Sequence, residues 1–340
     1  LKYATALAAL HYLGADFSFS TEFYLDQNHS LVIKGSGDPY LVSEEWQRIA
    51  EQISLLPNLP KKLKSVFFDT TLFSEKINIP GIAISNNPFD ARNGALVVNF
   101  NTVYLKVDSN GFVTSAEEQT PLTLLAGRLG KKLTPGTRRI SIPPDLSFTY
   151  AGELVQSFFR REGFSFSSKK VALRSVSSGD RLVYTHRNIL TLKEVIAGML
   201  RYSNNFTANQ LLLTVGMQHY GPPATVEKGT RALAEYLRKE LVISKEQFML
   251  VEGSGISRKN RLTPEAIWHL LRAFAPYQNL LHGDNGILFK TGTLSGVYSM
   301  AGYLPGRDPL YFVILLNQPT NIRDKILKIL LATDFSSGEF

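Results

Sequence analysis

The chain has 340 residues, 44% of them hydrophobic and 19% charged, with no long polar or low-complexity tract, which excludes a disordered or fibrous protein and predicts two or three domains. Its longest apolar runs, such as LYFVILL at 310–316, fall far short of the roughly 20 residues a membrane helix needs, so no transmembrane segment is expected. The net charge of +8 comes from scattered basic pairs without interleaved aromatics, a pattern that argues against nucleic acid and suits an anionic envelope or peripheral contact with a membrane. In chain order, LKYATALAALHYLG is apolar on all sides and stopped by Gly14, so it reads as a buried helix already running at residue 1. From about 20 to 180, short alternating runs (LVIKG, SVFFDTT, GALVVNFNTVYLKV, RRISIP) lie between Gly, Pro and Asn turns, with helices near SEEWQRIAEQI and YAGELVQSFFRREG. This middle reads as β-rich. From about 190 the pattern is helical: TLKEVIAGMLRYS, with a capping box from Thr191 and Glu194; a second helix from near Ser203 to Gly216; and another opening at Thr263 and Pro264. Three strands follow at 286–292, 297–304 and 310–316, then a last helix over NIRDKILKILLA. The fold class is α+β, an antiparallel sheet flanked by helices.

The strand FKTGTLSGVYSMAGYL opens with a cation, two hydroxyls and a bare backbone, an edge suited to an anionic ligand. Taken alone, Lys-Thr-Gly is a short motif that chance supplies often. It gains weight from RYSNNFTANQLLL, which sets Ser203, Asn204 and Asn205 at a junction of two helices, although Ser203 or Asn204 also reads simply as the cap of the second. Ser-x-Asn followed by Lys-Thr-Gly is the second and third signature of penicillin-binding serine enzymes, whose first is Ser-x-x-Lys at the start of a buried helix. The literal match at Ser167, Ser168, Lys169 and Lys170 runs into a strand-like segment and lacks helix-start amides, so it is read as chance. The better first element is Lys2, with its serine expected three positions earlier, just before residue 1.

These blocks, with GSGDPYL and EGSGISRKNRLTPEAI, resemble the class C low-molecular-mass penicillin-binding proteins, the D-alanyl-D-alanine carboxypeptidases and endopeptidases of peptidase family S13. One departure is Asn204 at the middle of Ser-x-Asn, where the family often has Asp. The resemblance implies a penicillin-recognising serine transpeptidase/β-lactamase-like catalytic domain interrupted by a β-rich insert. The expected division is a split catalytic domain at 1–20 and 180–340, an insert domain at 21–70 and 150–179, and a second nested insert at 71–149. From Lys2 to Ser203 is 201 positions, against 87 from Ser203 to Lys290; a class A β-lactamase has a much shorter first interval.

Acyl transfer from a peptide needs a serine alkoxide, a base to make it and donors aimed at the oxyanion. On the resemblance, Lys2 is the base, its pKa lowered by burial and by Lys290. Ser203 relays a proton to the leaving amine, and Asn205 binds the substrate amide and orients Lys2. Lys290 with the hydroxyls of Thr291 and Thr293 binds the terminal carboxylate. Gly292 admits the substrate backbone, and the Thr293 amide joins the oxyanion hole. Arg258 resembles a family arginine near the active site, with a plain surface arginine as the equal alternative. Asp69 resembles an insert position that contacts a diamino acid, with a strand-end turn as the stronger reading. No cysteine is present, excluding thiol catalysis, and the six histidines form no metal pattern, so neither metal nor other cofactor is expected. The expected partners are peptidoglycan stem peptides, with β-lactams as covalent inhibitors, in a periplasmic or extracytoplasmic location. The alternatives are a non-catalytic relative that binds wall peptides or a partner protein through the same cleft, and a β-lactamase.

Overall fold

The computed structural model describes residues 1–306 and 310–333. Its first helix, Lys2–Leu13, buries every residue from Lys2 to Leu10 and ends at Gly14, whose φ of 88° reverses the chain while its N–H bonds the Leu10 carbonyl. Alanines at 4, 6, 8 and 9 leave room for neighbours to approach on all sides, which is why the helix carries no single apolar stripe. The helix Asn205–Tyr220 packs beside it and runs past Gly216, the expected stop, to Gly221. Gly216 is not a terminator but a point of close approach. A Cβ there would stand 2.4 Å from the Gly229 nitrogen of the helix Val226–Lys239, which the sequence reading did not single out.

A four-stranded antiparallel sheet follows, Gly283–Asp284, Ile287–Leu294, Val297–Tyr303 and Tyr311–Asn317, in sequence order. Alternation divides its faces: Ala301 and Tyr303 join the core of the first helix and of the helix Pro264–Phe274, while Met300, Phe312 and Ile314 pack on the last helix, Arg323–Ala332. The expected sheet flanked by helices is present.

The middle of the chain is less purely β than its turns suggest. A five-stranded sheet has the order Arg181–Arg187, Ser20–Leu25, Leu31–Lys34, Val66–Asp69, Val171–Leu173. Its last two pairings are parallel, and the chain between those strands includes the helices Ser43–Ser54 and Ser147–Arg161. A three-stranded antiparallel sheet (Val113–Ser115, Thr102–Val107, Gly136–Ser141) shares one hydrophobic core with it, joining Phe23, Ile33, Trp46 and Phe158 to Leu105 and Leu125. Ser167–Lys170 lies on a loop ahead of a three-residue strand, not at a helix start.

Candidate active site

The junction that carries Ser203 is built by two caps. Thr191 and Glu194 form the expected capping box at the start of Leu192–Arg201, with the Thr191 N–H donating to Glu194 Oε2 at 2.7 Å. At the far end the chain turns through Ser203, whose φ of 51° is a left-handed conformation uncommon for serine. Asn204 then caps the next helix, its Oδ1 accepting from the Thr207 N–H at 3.0 Å. One asparagine thus takes the structural task, and both Ser203 and Asn205 line the cleft.

Lys2 is 7% exposed, and its ammonium donates to Asn205 Oδ1 at 2.7 Å and to the Ser254 carbonyl at 2.9 Å. Burial and the positive charge of Lys290 lower its pKa from 10.5 to about 7, against the opposing pull of Glu252. Glu252 is a residue that sequence reasoning missed. Fully buried, its carboxylate accepts from the Ser254 N–H (2.7 Å), the Ser254 hydroxyl (2.6 Å), the Gly255 N–H (2.7 Å) and the Asn260 side-chain amide. It thereby fixes the carbonyl that receives Lys2. One turn along the first helix, Thr5 Oγ1 donates to the Gly253 carbonyl at 2.6 Å, so helix and loop are tied twice. The signal in the sequence was an acid ahead of Gly-Ser-Gly, a turn in which the backbone offers several amides together.

Across the cleft lies the strand Ile287–Leu294. The Lys290 ammonium donates to the Thr291 carbonyl at 2.6 Å, and burial, with Arg323 nearby, lowers its pKa to about 8. Gly292 pairs with Ser299, and a Cβ on it would lie 2.5 Å from the Ser299 hydroxyl, so the neighbouring strand alone already favours glycine. Arg323, the second missed residue, donates from Nη1 to Thr293 Oγ1 at 2.9 Å and to the Gly292 carbonyl at 3.1 Å. It opens the last helix, 30 residues downstream, and only the fold brings it to the strand.

Lys2, Ser203, Asn205, Lys290, Thr291, Gly292 and Thr293 line one cavity of about 250 Å³. Arg258 does not. It is exposed in an adjoining groove, where its guanidinium donates to the Ser295 carbonyl at 2.6 Å. Asp69 ends its strand and holds the turn, accepting from Thr71 N–H at 2.9 Å, Thr71 Oγ1 at 2.6 Å and Val176 N–H at 2.8 Å. Among the described residues no group of three or more His, Cys, Asp or Glu is placed to hold a metal ion, and no helix is long and apolar enough to cross a membrane.

The model of the D-Ala-D-Ala carboxypeptidase 3 (S13) family matches residues 1–123 and 125–287. The chain belongs to this family. That makes it an enzyme of the serine D-Ala-D-Ala carboxypeptidase type. Relatives of this S13 member include the D-alanyl-D-alanine carboxypeptidase DacB of Haemophilus influenzae, 26% identical over 93% of this chain and 79% of that one. A D-alanyl-D-alanine carboxypeptidase of Actinomadura sp. strain R39 is 25% identical over 93% of this chain and 72% of its own. Among solved structures, penicillin binding protein 4 (dacB) of H. influenzae superposes with a TM-score of 0.75 at 22% identity, covering 99% of this chain and 85% of that one. A predatory peptidoglycan endopeptidase of Bdellovibrio bacteriovorus gives 0.55 at 13% identity, over 97% and 83%. These likenesses extend the shared fold past residue 287, over the Lys290 strand.

Proposed function

We propose that the protein cleaves D-alanyl-D-alanine ends, and the cross-links, of peptidoglycan stem peptides through an acyl-enzyme on a serine three positions before Lys2, and that β-lactams acylate the same serine. The observation that carries this reading is the contact of Lys2 with Asn205, 2.7 Å, in one cleft with Ser203 and Lys290. With its pKa near 7, Lys2 is neutral often enough at physiological pH to take the serine proton. The alkoxide adds to the penultimate carbonyl, and the oxyanion meets the Thr293 amide. Lys2 returns the proton through Ser203 to the amine as the C–N bond breaks, and water then releases the ester. Lys290, Thr291 and Thr293 hold the terminal carboxylate in this scheme. Arg258, in the adjoining groove, meets a more distant part of the substrate. The reading goes with action outside the cytoplasm, where peptidoglycan lies. It also goes with the division into a split catalytic domain at 1–20 and 180–340, an insert domain at 21–70 and 150–179, and a second nested insert at 71–149.

The test is release of D-alanine from a pentapeptide stem as a function of pH. Lys2 must lose its proton to act and Lys290 must keep its own to bind carboxylate, so kcat/KM is expected to rise through about pH 7 and fall through about pH 8. A flat profile between pH 6 and 9 contradicts these roles. Because Arg323 depresses Lys290, the Arg323→Ala variant is expected to move the falling limb to higher pH while leaving the rising limb in place. An unmoved falling limb removes Arg323 from the account. Binding of stem peptide without D-alanine release favours a non-catalytic relative, and rapid multiple turnover of penicillin favours a β-lactamase.

A further inference from the structure

The helix Asn205–Tyr220, which follows directly from the Ser203 turn, is tied to the middle of the chain through one side chain, Gln210. Gln210 has no exposure to solvent, and both amide hydrogens and the oxygen of its side chain are engaged by distant segments. Its Nε2 donates to the Gly37 carbonyl at 3.0 Å and to the Gly94 carbonyl at 2.5 Å, and its Oε1 accepts from Asn93 Nδ2 at 2.8 Å. Asn93 is itself buried and also donates from Nδ2 to the carbonyl of Phe206, the residue after Asn205, at 2.9 Å. The Phe206 ring is sunk among Ala91, Val97 and Phe100. Close approach is built into the joint: Gly37 has a φ of 88°, its N–H donates to the Ala95 carbonyl at 2.7 Å, and a Cβ on it would run into the buried Phe73 ring.

We propose that Gln210 and Asn93 are positioning residues for the peptidase reaction. They fix the height and rotation of the helix's first turn, and through it the placement of the Ser203 hydroxyl and the Asn205 amide against Lys2. The inference rests on the peptidase reading of the cleft. Every residue from Phe206 to Gly216 is buried, so apolar packing surrounds this helix on all sides, and such packing has no direction. It holds the axis but resists a small slide or rotation only weakly. Hydrogen bonds to fixed carbonyls have direction, and a fully satisfied buried set of them specifies one arrangement. Ser203 needs that precision, because its left-handed φ of 51° persists only where the surroundings over-determine it. On its upstream side the turn is held by the Asn204 N–H donating to the Met199 carbonyl at 3.0 Å. On its downstream side, Gln210 and Asn93 supply the hold, one and two turns from the reacting groups.

The test uses the full-length protein with Asn93→Ala, which removes the donor to Phe206 and Gln210, and Gln210→Leu, which keeps the bulk and removes all three bonds of the glutamine. Release of D-alanine from a pentapeptide stem is measured as kcat and KM per site titrated with benzylpenicillin, so that a smaller folded fraction does not count as a slower enzyme. In Asn93→Ala, kcat per site is expected to fall about tenfold with KM within about twofold, the pattern of reacting groups held out of place. Gln210→Leu is expected to fall further; if it yields no titratable protein, Asn93→Ala decides alone. A kcat per site within twofold of the wild type, with the whole loss appearing as a lower titre, makes the pair a structural brace and overturns the proposal. A raised KM at unchanged kcat overturns it as well. A wild type that neither releases D-alanine nor takes up benzylpenicillin overturns the peptidase reading itself, and the positioning role with it.

Discussion

Lys2→Met is expected to lower the rate of acylation by benzylpenicillin and of D-alanine release by a factor of about 10²–10⁴, the range for loss of a positioned general base. Methionine keeps the unbranched shape and the apolar stem but removes the nitrogen that touches Asn205 and Ser254. The fold should not suffer with the activity. Because the pKa of Lys2 is about 7 folded and 10.5 unfolded, the unfolded chain holds a proton between these values that the folded chain lacks. Stability from this group therefore rises with pH across that window, and at or below pH 7 the buried ammonium is a burden on the native state. The Met variant is expected to melt no lower than the wild type at pH 7. A variant that melts far lower, or that acylates within tenfold of the wild type, contradicts the assignment of Lys2 as a base that the fold strains to bury.

Glu252→Ala is expected to cost several kcal/mol of stability, since each buried donor left without its acceptor costs about 1–3 kcal/mol. Three backbone N–H groups (Ser254, Gly255 and Ser257), a serine hydroxyl and an asparagine amide lose their acceptor at a site with no exposure to water. Such a loss is a large part of the 5–15 kcal/mol that holds a typical domain. Glu252→Gln keeps the size and one acceptor oxygen, and is expected to fold. Its value is electrical. The Glu252 carboxylate raises the Lys2 pKa, so neutralising it should carry the rising limb of the pH profile below its wild-type position near 7. A Gln variant with reduced activity but an unmoved limb would reduce Glu252 to a purely structural brace.

The parts of this molecule most legible in its sequence are those fixed by short-range rules. Gly14 ends the first helix, Thr191 with Glu194 and Thr263 with Pro264 start later ones, and the Lys290 strand forms where its alternation predicted. Gly216 misled because glycine ends helices and also lets two helices touch, and only the partner at Gly229 tells the uses apart. Helices Ser43–Ser54 and Ser147–Arg161 form where the sequence placed them, but that they lie between parallel strands was not legible, since strand direction leaves no mark in local periodicity. In the site, the residues that end on the cleft were recognisable as motifs. Glu252 and Arg323 were not, because each acts on a motif residue from a distant segment, and a buried acid or a helix-start arginine looks ordinary until its partners are placed. Arg258 shows the reverse, a motif residue that the fold sets beside the cleft and not in it.

The central claim is that Lys2, Ser203, Asn205 and Lys290 serve an acyl-enzyme. It is tested most directly by the intact mass of the full-length protein before and after benzylpenicillin, followed by peptide mapping of the adduct. The account predicts one penicilloyl group per chain, on the serine three positions before Lys2, and its near absence in Lys2→Met. No adduct on the folded protein, or an adduct placed on Ser203 or Ser167, contradicts it.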